Sequence, residues 1–197
     1  MINPSCLKGM LNGGALALAA SLLSLPALAA TWTIDMDNST LGFEASVFGS
    51  SVPGTFKTWE ANVSFDTAAL ETSSVSVVID MASADTADGT RDSSLKGDEW
   101  FATDEHPQAT LSSTAFRSTG DGNFEMDADL TMRGQTNHLT LPFTLTEQGD
   151  GVVATGSVSI DRTDYGVGQG DFLTGSTVGL DVLITIDIAA TPQMAAE

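Results

Sequence analysis

Apolar and polar residues alternate with period two along most of this chain. Trp32, Ile34 and Met36 share one parity, and Leu41, Phe43, Ala45 and Val47 follow the polar Asp37, Asn38 and Ser39. Ala61, Val63 and Phe65 form a third set after Pro53–Gly54, and Val75, Val77 and Ile79 a fourth. A Ser/Thr-rich run joins Leu111 to Phe116. Phe124, Met126, Ala128, Leu130 and Met132 follow the turn signal Gly120–Asp121–Gly122, and Leu139, Leu141, Phe143 and Leu145 follow Arg133–Gly134. Val152 to Ile160 follows Gly149–Asp150–Gly151, and the cleanest run is the last, Val178, Leu180, Val182, Ile184, Ile186 and Ile188. Period two sends such residues to one face of a sheet and their neighbours to the other. About eight strands joined by short Gly/Asp turns predict an all-β fold, an antiparallel meander closed into a barrel. A two-sheet sandwich fits the same pattern. A barrel of about eight strands is just wide enough to hold one small ligand.

One stretch breaks the alternation. Arg91 to Phe101 carries Leu95 and the adjacent aromatics Trp100 and Phe101, and a loop runs on to Pro107. A short helix is expected over Ser93 to Phe101 with Asp92 or Ser93 as N-cap. In an all-β chain such an insertion implies a lid or plug at the mouth of the barrel. A helical turn is expected at Asp66 to Leu70.

The N-terminal segment reads differently. Lys8 precedes an apolar run from Gly13 to Leu25, and Pro26–Ala27–Leu28–Ala29 ends in a small-x-small pattern. This is the pattern of a cleavable secretory signal, and the run is too short to span a bilayer. The chain is therefore read as a signal peptide over 1–29, a barrel domain over 30–190 and a flexible tail over 191–197. Cleavage removes Lys8, one of 7 basic residues, and none of the 26 acidic ones. It also removes Cys6, the single cysteine. Export without cysteine suits a bacterial periplasm better than a disulfide scaffold. Such acidity argues against nucleic acid and against anionic lipid surfaces, both of which need clustered Lys and Arg.

Catalytic and metal chemistry have few candidates. His106 and His138 are the two histidines, and no Gly-x-Ser-x-Gly elbow accompanies them. Asp98, Glu99, Asp104, Glu105 and His106 lie close in sequence without the spacing of a calcium loop. Gly166-x-Gly168-x-Gly170 lacks the strand-turn-helix context of a dinucleotide site. Arg91, Arg133 and Arg162 sit at strand ends, as rim salt bridges or as anchors for a lid or a headgroup. The aromatics, among them Phe43, Phe48, Phe56, Phe65, Trp100, Phe101, Phe143, Tyr165 and Phe172, are core in a filled barrel and channel lining in a hollow one. Val77, Leu130 and Met132 share that inward parity.

Taken in order, five segments carry a family resemblance: Trp32 to Asp35 with Leu41-x-Phe43; Val52-x-Gly54-x-Phe56; Arg91–Asp92 with Leu95, Trp100–Phe101 and His106–Pro107; Asp129 to Thr136 with Leu139 to Pro142; and Arg162 to Gly168 before the last strand. Together they resemble the YceI-like family of bacterial periplasmic proteins, from Thr31 to about Ala190. The resemblance implies a lipocalin-like barrel with a long apolar channel for an isoprenoid chain, quinone or other long-chain amphiphile. It implies no catalytic activity, no cofactor beyond such a lipid, no embedding in the membrane and frequent pairing as a homodimer. It implies that Phe43, Phe56, Trp100, Phe101 and Tyr165 shape the channel or its mouth, and that Arg91 and Asp92 fix the lid turn. The low cation content implies a neutral headgroup rather than a pyrophosphate. Alternatives are an interaction protein of the cell envelope with a filled core, an outer-membrane barrel and an enzyme acting on a captured lipid.

Overall fold

The alternating runs become strands, and three of the turns between them are two-residue hairpins of the kind that matches strand twist. Phe48–Gly49, Asp121–Gly122 and Arg133–Gly134 all have positive φ at both positions, the geometry that favours a glycine second residue. The computed structural model describes residues 30–193; the expected signal peptide lies outside them. The strands are β1 (Thr31–Ile34), β2 (Thr40–Val47), β3 (Ser50–Phe56), β4 (Trp59–Ser64), β5 (Ser74–Asp80), β6 (Ala84–Asp85), β7 (Gln108–Gly120), β8 (Asn123–Met132), β9 (Gln135–Gln148), β10 (Gly151–Asp161) and β11 (Val178–Pro192). One α-helix, α1 (Gly89–Leu95), stands between β6 and β7.

These strands make an eight-membered closed ring in which three members are broken. β1 and β2 lie end to end along β11, β1 against residues 190–192 and β2 against 178–187. β4 and β3 lie along β1 and β2 in turn, and β5 and β6 along β4 and β3. The unbroken strands β7 to β11 complete the meander. The β1–β11 pairing closes the sheet, so the fold is a barrel and not a sandwich.

The breaks have local causes. Asp35 caps a 3-10 turn at Met36–Asn38, its carboxylate accepting from the amides of Asp37 and Asn38, and Asp80 caps another at Met81–Ser83. Lys57 N–H donates to the Ser83 carbonyl at 3.1 Å, and Asp80 N–H to that of Thr58 at 3.0 Å. The ladder thus survives the interruptions. Met36, expected to face inward with Trp32 and Ile34, sits in the first of these turns and is 44% exposed. In β7 a register shift between Ser113 and Ala115 adds one residue. A bulge of this kind exchanges the two faces, which is why Leu111 and Phe116, of opposite parity, both pack on the core.

Three further expectations change. The helix begins earlier than Ser93, because Asp88 and not Asp92 is the N-cap: its carboxylate accepts from Thr90 and Arg91 amides at 3.0 Å each. It ends at Leu95, and the segment to Pro107 is a chain of turns. The turn expected at Asp66 to Leu70 is a hydrogen-bonded turn, Ala69 N–H donating to the Asp66 carbonyl at 3.0 Å, that runs on into a 3-10 turn at Leu70–Thr72. The last strand continues past Ile188 to Pro192, paired with β1 through Trp32 and Thr33, so residues 191 and 192 belong to the barrel rather than to a tail.

Candidate functional site

The barrel is solid at one end and hollow at the other. At the solid end α1 and the loops over 96–107 and 162–177 fold onto the rim. Phe43, Phe56 and Phe101 make a ring series with centroids 5.2 and 6.2 Å apart. The Phe43 ring covers Gly54 on the neighbouring strand so closely that a side chain there would collide with it, a packing only glycine allows. Phe101, Tyr165, Val167 and Met81 are buried in this plug. Burial also pushes the Tyr165 hydroxyl above its usual pKa.

Two arginines hold the plug in place. Arg162 is 3% exposed. It donates to the carbonyls of Gly179 and Val178 at 2.8 Å, of Val167 at 2.7 Å, of Gly168 at 3.2 Å and of Phe172. Desolvation lowers its pKa, with the adjacent Asp161 opposing. Trp100 stacks 5.6 Å from its guanidinium carbon and 4.8 Å from the Phe172 ring. Arg133 donates to the Asp98 carbonyl at 2.7 Å and to that of Trp100. The Glu99 carbonyl accepts from the amides of Gly168 and Gln169 at 2.8 and 2.7 Å, stitching the two loops together. Arg91 and Asp92 act on one residue: Asp92 accepts from the Thr86 amide and hydroxyl at 2.8 and 2.6 Å, and Arg91 donates to the Thr86 carbonyl at 3.4 Å.

The hollow end begins below Leu41, Trp59, Ile79 and Leu139. A cavity of about 500 Å³ extends from there past Ile184, Ile186 and Ile188 to Ala30, Trp32, Thr67 and Glu147. Its volume lies in the range of ~300–1,000 Å³ usual for small-molecule pockets. Ala30, Thr67 and Glu147 are exposed, so the cavity reaches solvent there. Its walls are aliphatic apart from the aromatics Trp32, Trp59, Phe65, Phe116 and Phe143, and its polar lining is Asp66, Thr67 and Glu147. At a rise of ~3.3 Å per residue and a tilt of ~40°, the wall from Ile184 to Ala190 gives about 15 Å of depth.

The expected site residues divide between the two ends. Phe65, Val77, Leu130 and Phe143 line the cavity. Phe43, Phe56, Trp100, Phe101, Met132, Tyr165 and Phe172 are absent from its wall. All but Phe172 pack on or within the main core cluster, and Phe172 lies against Trp100. Phe48 does neither: it is 79% exposed at the tip of the β2–β3 hairpin. Arg162 is neither a rim ion pair nor a headgroup ligand but the buried anchor of the plug. The lid therefore does not stand at the mouth; the opening is at the opposite end. The aromatics are a minority of the lining, most of which is the aliphatic inward parity of β4, β5 and β7 to β11. The polar residues of the mouth carried no apolar signal: Asp66 and Thr67 lie in a loop, and Glu147 continues the inward parity of β9 as an acid. Among the described residues no group of three or more His, Cys, Asp and Glu is placed to hold a metal. No helix there is long and apolar enough to cross a membrane.

A family model described as the YceI-like domain matches residues 32–190. The chain belongs to the YceI-like family. A UPF0312 protein of Pseudomonas savastanoi pv. phaseolicola is 33% identical over 178 residues, covering 85% of this chain and 92% of that one. Among solved structures, Burkholderia cenocepacia BcnA is 29% identical with a TM-score of 0.78, covering 81% of this chain and all of its own. A Saccharophagus degradans domain described as polyisoprenoid binding shares 16% identity and a TM-score of 0.67, over 84% of this chain and 99% of that one. That last likeness is one of fold.

Proposed function

We propose that this YceI-like protein binds one long-chain apolar molecule, of polyisoprenoid, quinone or fatty-amide type, in the hollow half of its barrel. The observation that carries this is the cavity itself, apolar along its walls and open at one end. The polyisoprenoid-binding description of the Saccharophagus degradans domain, which shares the fold, supports the same ligand class. Burying apolar chain is worth roughly 0.8 kcal/mol per methylene, so walls of this kind retain such a ligand without metal or covalent tether. The role is that of a carrier or sequestering protein in the periplasm, reached through the N-terminal export signal and linked to envelope stress. A homodimer is the expected assembly.

Native mass spectrometry of protein purified from a bacterial periplasm tests this. A discrete, extractable apolar species should accompany the polypeptide, and its loss in Ala61→Phe, which fills the cavity, should follow. A bare polypeptide mass with no uptake of added quinone or polyprenol would sink the binding reading and favour an interaction role in the envelope.

A further inference from the structure

Charge is distributed unequally along the barrel axis. Of the Lys and Arg residues among those described, Lys57, Arg91, Lys96, Arg133 and Arg162 belong to the plug end. The remaining one, Arg117, is on β7 and is held by Glu125 at 3.0 Å and by Asp127. The segments that frame the mouth are residues 64–74, 120–123 and 147–151. They contain Asp66, Glu71, Asp121, Glu147 and Asp150 and no Lys or Arg. Two of those carboxylates, Asp66 and Glu147, belong to the cavity lining itself, and no cationic side chain does. Asp66 is oriented by its own loop, accepting from the Ala68 amide at 2.8 Å while its amide donates to Ser73 Oγ at 3.0 Å. Cleavage ahead of Ala30 would add one α-ammonium group, half-titrated near pH ~8, against these five acids.

We infer that the mouth selects the ligand's polar end by charge: Asp66 and Glu147 admit a cationic amphiphile, accept a neutral one and reject an anionic one. The inference rests on the cavity being the binding site for an apolar chain. A ligand whose tail fills the hollow end leaves its headgroup beside these two side chains, because they stand where the lining meets solvent. An ammonium group there gains attraction and can donate hydrogen bonds to carboxylate oxygens. A carboxylate or phosphate meets like charge with no cation in the lining to offset it. The chemical class favoured is therefore a long-chain amine or quaternary ammonium compound, ahead of alcohols and amides and well ahead of fatty acids and prenyl phosphates.

The experiment uses three probes with the same tail, dodecylamine, 1-dodecanol and dodecanoate. Each competes for the cavity against a fluorescent apolar reporter at pH 7, with protein purified from cells expressing the full-length chain. Dodecylamine should bind about tenfold more tightly than dodecanoate, with dodecanol between, as expected for two partly solvated carboxylates acting on one head. The ratio should shrink towards unity in Asp66→Asn/Glu147→Gln and at high salt, where exposed charges are screened. Equal binding of amine and carboxylate, tighter binding of dodecanoate, or a ratio unmoved by the double variant would overturn the charge selection. Dodecanol bound with no such discrimination would leave the cavity reading intact. Failure of all three probes would overturn the cavity reading, and the selection with it.

Discussion

The two ends of this barrel are built from the same alternating strands and come to opposite states. The plug end gathers about half of the aromatics, the described helix and five cations, and it is packed solid. The mouth end is edged by carboxylates and walled by aliphatic side chains and five aromatics around an open cavity. What separates them is not hydrophobicity, since both are apolar inside. It is whether the chain supplies a segment to fill the space. Residues 86–107 and 162–177 do so at one end. At the other, the connections at 121–122 and 149–150 are too short to reach inward, and residues 65–73 send in Phe65, which packs on Phe116, Phe124 and Phe143 and leaves the cavity beside it open. The half that no such segment fills is where the cavity lies.

The largest effect should come from removing what holds the plug. Arg162→Met deletes a guanidinium that satisfies five carbonyls, three of them in buried hydrogen bonds. Stranding such partners costs about 3–5 kcal/mol when the lost group is a buried charge. Urea denaturation should show that loss as a lower midpoint at unchanged slope. A loss under ~1 kcal/mol would mean that residues 166–179 hold their fold without the arginine.

A matched pair of truncations compares the ends directly. Phe101→Ala, in the packed plug, should cost about 3–5 kcal/mol, because it opens a new cavity as well as losing transfer energy. Phe143→Ala, on the cavity wall, should cost about half as much, because part of its ring already faces a void. Equal losses from denaturation curves would indicate that the hollow end is collapsed in solution. The reverse substitution is smaller in effect. Ala109→Leu, at a residue 1% exposed, should cost about 1–3 kcal/mol through overpacking. Ala61→Phe, pointing into the cavity, should leave stability within about 1 kcal/mol while abolishing uptake of an apolar probe.

Much of this division was legible in the residues, and part of it was not. Parity located the inward face of nearly every strand, and β8 follows it cleanly, with Phe124, Met126, Ala128 and Leu130 all buried. Parity is a local property, set by the pleat, and so it survives reading one residue at a time. It fails at Met36, where Asp35 caps a turn, and between Leu111 and Phe116, where a bulge exchanges the faces. The helix start was misplaced because Asp88 and Asp92 are both good caps by type. The choice between them depends on Thr86, which engages Asp92 and leaves Asp88 for the helix amides. Which apolar residues face a void is a different kind of fact. It depends on what arrives from across the barrel, and Phe43 and Phe143 have the same strand parity yet opposite surroundings. The five-segment family resemblance pointed to a channel, but it placed Trp100 and Tyr165 at that channel's edge when both belong to the plug.

The last prediction concerns Arg117, the one cation of the mouth-side strands among the described residues. If it were free to swing towards the opening, the charge contrast between the ends would weaken. Its bonds to Glu125 and Asp127 across β8 argue that it is not. The bond from Arg117 holds the Asp127 carboxyl at about 2, against an ordinary 3.8, with a hydrogen bond from Thr140 adding to the effect. A depressed carboxyl contributes stability that is present above the ordinary carboxylate range and is lost as pH falls from about 4 towards 2. For so exposed a pair the contribution is small, so the informative readout is the titration rather than the melting point. Carboxyl-carbon NMR should find Asp127 titrating well below the ordinary carboxylate range in the native chain and returning towards 3.8 in Arg117→Met. The amine-to-carboxylate binding ratio at the mouth should stay unchanged in that variant. A ratio that rises on removing Arg117 would show that this arginine reaches the opening and moderates its negative charge.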